Sequence, residues 1–357
     1  MAKSYASWLN ERTADLPTTI SAAEPLLSDM AWTASAGRSH FPYRAGVLFD
    51  SSASLRDGLQ AVAESNGDPG PPTATRVVFA YAGEGSQWVG MGAELYEREP
   101  VARAVLDRCD ELLRADHGAS PLEAMFGKSG AADGPARTQP VTFAVECALT
   151  ALWASVGIQP SAVFGVGTGD IAAAHAAGIL TLEAGLRLAA ARQAAMPVAS
   201  STDGSPPASL DAVLAEIPFA PAQVTLVSSA TGRMIESSEV QDAGYWSQRS
   251  ERKLPLERTA RTLEELGADL VIEIGAQPEL GSALALCWPS ASAEGGGPPR
   301  VLSSLPDQST GFLQAVAQTY ESGLSINFAG LFAGERRSRV SLPSYPFQRR
   351  RFWFNAG

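Results

Sequence analysis

Five short apolar runs, each closed by turn-forming residues, organise the chain. They are Val77 to Tyr81, Ala162 to Phe164, Val224 to Ser228, Leu270 to Ile274 and Val301 to Ser303. Each has the length and apolar density of a strand rather than of a helix. Between them the apolar positions recur at helical spacing. This pattern predicts helices over about 100–113, 121–126, 140–156, 255–266, 277–286 and 309–323. The alanine-rich stretches Ile171 to Ala177 and Leu182 to Ala195 are further helices, because alanine loses no side-chain freedom on entering one. Strands alternating with helices predict a parallel sheet covered on both faces, hence an α/β fold.

Three punctuation marks divide the chain. Gly67-Asp68-Pro69-Gly70-Pro71-Pro72 is too rich in glycine and proline for a regular element. Residues 1–75 before and around it form a small N-terminal unit, expected to be α/β. In it Leu55, Leu59 and Val62 share one helix face, and Ala45 to Phe49 reads as a strand. The segment 196–209, dense in Ser, Pro and Gly, reads as a linker inside a core that spans 76–304. Residues 305–357 contain the last core helix and then a tail, Leu342 to Phe354, whose prolines forbid a helix. That tail is expected to run extended, with Tyr345, Phe347, Phe352, Trp353 and Phe354 buried across the N-terminal unit.

Composition narrows the function classes. The chain has 357 residues, 45% hydrophobic and 18% charged, with a net charge of −11. Nucleic acid and anionic membrane surfaces are thus poor partners for its body, and no stretch reaches the ~20 apolar residues of a membrane span. Cys109, Cys147 and Cys287 are scattered without metal-ligand spacing, which suits a reducing cytoplasm. No metal or cofactor is expected. The histidines are His40, His117 and His175 only.

One turn carries potential chemistry. After the strand ending at Phe164 come Gly165-Val166-Gly167-Thr168-Gly169 and then a helix. Strand, Gly-x-x-x-Gly and helix form the frame of a nucleophile elbow, whose third residue carries the attacking hydroxyl. Here that position is Gly167. Two other readings fit the bare residues. The turn can serve packing alone. It can also be compared with a dinucleotide-binding fingerprint, but Asp170 stands where the third glycine belongs and would repel a phosphate at the helix start.

The ordered motifs resemble the acyltransferase domains of modular type I polyketide synthases, together with their flanking linkers. Residues 31–49 resemble the linker between ketosynthase and acyltransferase, and Gly83-Glu84-Gly85-Ser86-Gln87-Trp88 resembles the Gly-Gln-Gly-Ser-Gln loop. Thr138-Gln139-Pro140, Gly165 to Gly178, Tyr245-Trp246 and Val271 to Ile274 with Gln277-Pro278 match later motifs. Leu342 to Trp353 resembles the linker that follows the acyltransferase. The resemblance implies an α/β-hydrolase-like core in which a serine takes a malonyl-type group from coenzyme A. The serine then passes it to the phosphopantetheine thiol of an acyl carrier protein, with a histidine as base.

Departures cluster at the chemistry. Gly167 replaces the serine and Val166 the histidine before it, and Asp170 replaces a glutamate. Gly204, in Gly204-Ser205-Pro206, aligns with the catalytic histidine, and the small ferredoxin-like subdomain that precedes it is missing. Arg192 matches the arginine that holds a dicarboxylate extender, a role suited to a planar guanidinium; an ordinary ion pair is the alternative. Glu84 stands for the glutamine of the oxyanion loop, and Thr168 follows the nucleophile position. Glu84, Val166, Thr168 and Arg192 are therefore substrate-binding remnants with no catalytic residue among them. The expected function is a pseudo-acyltransferase that supports a ketosynthase or an acyl carrier protein. Arg349, Arg350, Arg351, Phe352 and Trp353, with Arg336, Arg337 and Arg339, form its contact surface. The alternative is an enzyme with altered, non-covalent acyl-thioester chemistry.

Overall fold

The computed structural model describes residues 1–13, 20–65, 74–83, 92–117, 120–126, 138–195, 210–240, 242–247, 255–275, 280–289, 297–305 and 311–345. The chain divides into two compact units. One combines residues 1–72 with 327–357, and the other spans 73–326.

The helical unit opens with α1 (Ala2–Thr13), α2 (Ile20–Ser35) and α3 (Ser52–Glu64). Ser51 and Ser54 begin α3 as a reciprocal capping box, each side chain answering the other's backbone N–H. Leu55 and Leu59 then project from one face of α3 into a core with Tyr5, Leu9, Leu27 and Met30. Leu342, from the far end of the chain, completes that core at 6% exposure.

The expected strand at Ala45 to Phe49 does not form. A strand requires a neighbour to take its backbone groups, and the described residues of this unit contain no other strand. The run is extended instead, and Val47 and Phe49 pack on the helical core. Within the described residues the N-terminal unit is therefore helical and irregular rather than α/β.

In the second unit β1 (Val77–Tyr81) is followed by α4 (Ala93–Arg98), α5 (Pro100–His117), α6 (Pro121–Met125) and α7 (Thr138–Ser155). Next come β2 (Ala162–Gly165), α8 (Gly169–Ala176), α9 (Leu182–Ala195), α10 (Leu210–Glu216) and β3 (Thr225–Val227). The unit closes with α11 (Ser237–Val240), α12 (Ala243–Ser247), α13 (Leu256–Glu265), β4 (Leu270–Ile274), α14 (Leu280–Leu286), β5 (Arg300–Ser303) and α15 (Gly311–Glu321). The sheet runs β3-β2-β1-β4-β5, and every pairing is parallel. Strands β1, β2 and β4 are buried at every position, as strands of a sheet covered on both faces should be; β4 carries one acid, Glu273, within its apolar run. The fold is α/β with a parallel sheet, as the pattern predicts.

Two buried polar side chains in this apolar setting accept backbone N–H groups. Glu273 of β4 is 1% exposed, and its two oxygens accept the N–H groups of Leu280 and Gly281 at 2.8 and 2.9 Å, holding the start of α14. Gln193 of α9 accepts the N–H of Gln139 at 3.0 Å and so holds the start of α7.

The tail returns to its own unit through α16 (Phe328–Leu331) and an extended stretch. Ser338 N–H donates to Asp29 Oδ1 at 2.9 Å, and Val340 N–H to Thr33 Oγ1 at 3.1 Å. Arg38 donates to the carbonyls of Leu342 and Pro343 at 2.6 and 2.7 Å. Phe41 packs against Tyr345 with ring centroids 4.5 Å apart. Phe352, Trp353 and Arg349 to Arg351 lie outside the described residues.

Candidate functional site

The end of β2 meets the start of α8 at Gly165 to Gly169, beside the central strand β1. Val166 N–H donates to Tyr81 O at 3.0 Å, extending the β1–β2 pairing one residue beyond the strand. The chain then reverses. Gly167 takes φ +58°, a left-handed conformation that costs an L residue about 1–2 kcal/mol and glycine almost nothing. Thr168 is already helical, and Gly169, Asp170 and Ile171 donate to the carbonyls of Val166, Gly167 and Thr168 at 2.9, 3.3 and 2.9 Å.

The two outer glycines are required by close approach. A Cβ on Gly165 would lie 2.1 Å from Gly169 O, and one on Gly169 would lie 2.4 Å from Tyr81 O. Gly83, at the end of β1, sits equally close: a Cβ there would lie 1.9 Å from Val166 O. Gly83, just past the end of β1, and the elbow therefore touch backbone to backbone.

At the apex Gly167 is exposed, while Thr168 is only 1% exposed and points into the fold. The outward position is the one that offers a side chain to an incoming ligand, and it holds none. Val166 is half-buried. Asp170 stands in the first turn of α8, where the helix dipole favours a negative charge; it is buried and accepts from Ser229 Oγ at 2.9 Å.

Arg192 of α9 reaches the elbow. It is 6% exposed, and it donates to Gly167 O at 3.4 Å and to Trp246 O at 3.2 Å. Trp246 is fully buried, stacks on Phe219 with ring centroids 5.7 Å apart, and donates its indole N–H to Val240 O at 2.9 Å. The guanidinium thus bridges the elbow carbonyl and the α12 segment. The spacing of Arg192 in the sequence does not announce these partners, because both are carbonyls far away along the chain.

A further buried acid escapes sequence inspection. Glu146 of α7 is 1% exposed, and its Oε1 accepts the N–H of Gly83 at 3.1 Å. Burial pushes its carboxyl up to about 8, with the Gly83 N–H pulling the other way and the nearby Asp170 charge adding to the rise. The available signal was an acid inside Val141 to Leu149, a run apolar on all sides of the helix.

His175, the histidine of α8, supplies no base at the apex. His175 lies near the far end of α8, and its Nδ1 is 2.9 Å from Leu180 O. Burial lowers its pKa despite that bond, and its ring meets Phe143 edge-on. In the helical unit His40 Nε2 is 2.6 Å from Ser35 O and its ring stacks on Phe328. Glu84 and Gly204 lie outside the described residues.

Residues 78–243 match the acyl transferase domain family. The spectinabilin polyketide synthase system protein NorA' of Streptomyces orinoci is 30% identical over 413 residues, covering 92% of this chain and 11% of that protein. Erythronolide synthase EryA2 of Saccharopolyspora erythraea is 28% identical over 92% of this chain and 11% of its own length. The chain spans about a tenth of the length of these curated relatives. Among solved structures, the acyltransferase domain from the second module of the salinomycin polyketide synthase is similar at 26% identity and TM-score 0.72, covering 96% of each chain. The acyl transferase domain of ZmaA has a TM-score of 0.77 at 19% identity, over 96% of this chain and 95% of that one, and so shares the fold. Residues 78–243 belong to the acyl transferase domain family, and most of the chain is similar to segments of modular type I polyketide synthases.

Proposed function

We propose that this chain is a pseudo-acyltransferase of a polyketide synthase system, a scaffold for a ketosynthase and an acyl carrier protein rather than a transferase. One observation carries the reading: the exposed apex of an intact elbow is Gly167, at φ +58°. Transfer by this family's route begins with an oxygen nucleophile that takes the acyl group and a base that takes its proton. In serine hydrolases of the same logic, removing either partner costs about a million-fold in turnover.

Three features support the reading. Arg192, the counterpart of the extender-binding arginine, donates to protein carbonyls on both sides of the elbow; a carboxylate ligand would have to displace those contacts. The stretch between α9 and α10 is only residues 196–209, and every described strand belongs to the single parallel sheet. The alignment with NorA' runs over 413 residues, more than this chain contains. Both facts accord with the loss of the small ferredoxin-like subdomain and of one wall of the substrate groove. The basic tail residues Arg349 to Arg351, with Arg336, Arg337 and Arg339, suit an acidic partner.

The test pairs turnover with binding. The chain is incubated with malonyl-CoA and a phosphopantetheinylated carrier protein, and carrier acylation is followed by mass spectrometry. Acylation no faster than the protein-free control is expected, together with calorimetrically measurable binding of a carrier protein or a ketosynthase. Acylation above that control overturns the pseudo-enzyme reading, and failure to bind either partner overturns the scaffold reading.

A further inference from the structure

A groove of about 690 Å³ runs along α13 of the sheet unit, lined by Arg233, Leu256, Arg258, Arg261 and Cys287 among others. None of its lining residues belongs to the elbow at Gly165 to Gly169. The volume suits a small organic ligand rather than a lone ion.

The sequence gives α13 two faces. Thr259, Ala260, Thr262 and Leu263 are buried, and Ala260 and Leu263 pack into the apolar core under the sheet. Arg258 and Arg261 are exposed and stand three residues apart, which makes them neighbours on one flank of the helix. The turn after β3 is pinned to this helix. Thr262 Oγ1 donates to Gly232 O at 2.6 Å. Gly232 has φ +67°, and a Cβ there would lie 2.9 Å from Arg258 Cβ. Arg233, the next residue, is held by both oxygens of Glu239. That side of the groove is thus built without help from a ligand.

Arg258 and Arg261 differ from other helical arginines of the chain. Arg98, Arg108 and Arg114 each pair with an acid three or four residues away. Arg261 has Glu257 and Glu265 four residues to either side. Neither Arg258 nor Arg261 makes a hydrogen bond or ion pair among the described residues.

Two open guanidinium groups match the oxygens of a phosphate, which their planar N–H forks bind in pairs. Arg233 is balanced by Glu239, so an anion falls to Arg258 and Arg261. Glu257 and Glu265 also line the groove. They repel an anion elsewhere along it and accept hydroxyl donors instead. Pro255, Leu256 and Cys287 add apolar surface. A ligand that meets all three demands carries phosphate, hydroxyl groups and an apolar body.

We propose that the α13 groove binds a nucleoside phosphate, with Arg258 and Arg261 on the phosphates, Glu257 or Glu265 on the sugar hydroxyls, and Pro255 and Leu256 against the base. Such a site operates whether or not the elbow is catalytic.

ADP is the probe, titrated calorimetrically into the full chain at low ionic strength, where exposed charges are least screened. One-to-one binding is expected, tighter than that of adenosine or of inorganic pyrophosphate. Arg258→Gln and Arg261→Gln are each expected to weaken it about tenfold. Both side chains are exposed and unbonded, so the melting temperature of the free chain is expected to stay unchanged. Arg108→Gln, on α5, is expected to bind ADP as the parent does. Cys287 supplies a second readout, because Cys109 and Cys147 are buried and it is not. Its alkylation by iodoacetamide is expected to slow with ADP in the parent chain and not in a variant carrying both arginine substitutions. No binding at millimolar ADP, equal binding by the parent and the α13 variants, adenosine or pyrophosphate binding as tightly as ADP, or alkylation of Cys287 that ignores ADP would each overturn the assignment.

Discussion

The elbow of the sheet unit and the tail of the helical unit use opposite parts of the polypeptide. At the elbow the close contacts are between backbones, with Arg192 adding a side-chain hydrogen bond to Gly167 O. Gly83, Gly165 and Gly169 allow main chains to touch, and the exposed apex has no side chain at all. Along the tail the side chains do the holding. Asp29 and Thr33 accept tail N–H groups, Arg38 and Arg339 donate to carbonyls across the return, and Leu342 enters the core. The comparison teaches that the form of this turn rests on backbone contact, so the side chain at its apex can change without disturbing it. Charge divides along similar lines: after Glu335 the chain has six arginines and no acid, although the whole carries −11.

Substitutions at the three elbow glycines give the largest contrast. Gly169→Ala forces a Cβ to within 2.4 Å of Tyr81 O, a backbone atom of the central strand. Loss of about 3 kcal/mol or more is expected in chemical denaturation. Gly167→Ala, at an exposed apex with φ +58°, is expected to cost the left-handed backbone penalty, about 1–2 kcal/mol. Equal losses at the two positions would mean that the elbow is not closed by backbone contact.

Next in size is the tail. Ending the chain after Ser341 removes Leu342 from its core and the two carbonyls that Arg38 holds. A drop of about 2–4 kcal/mol in the stability of the helical unit is expected, read as a lower melting temperature. An unchanged melting temperature would break the docked-tail half of the comparison.

Much of this was legible in the residues. The buried strands β1 and β2 were visible as unbroken apolar runs, and β4 as one interrupted only by Glu273, because a strand covered on both faces has no alternating polar side to show. The elbow was visible from its spacing. Ala45 to Phe49 misled, because an apolar run specifies burial but not a pairing partner, and its burial comes from helices. The partners of Arg192 and Glu146 were hidden for a different reason. Both side chains answer backbone groups, Gly167 O, Trp246 O and Gly83 N–H, and backbone groups leave no mark on sequence. Buried charge inside an apolar run flags that such a partner exists without naming it.

The central claim of the proposed function is that the elbow, with Gly167 at its apex, offers no side chain to carry an acyl group. Its most direct test is the intact mass of the purified chain after exposure to excess malonyl-CoA. The account predicts a single species at the unmodified mass. A malonylated species, formed at any side chain and lost again when a carrier protein is added, would contradict it.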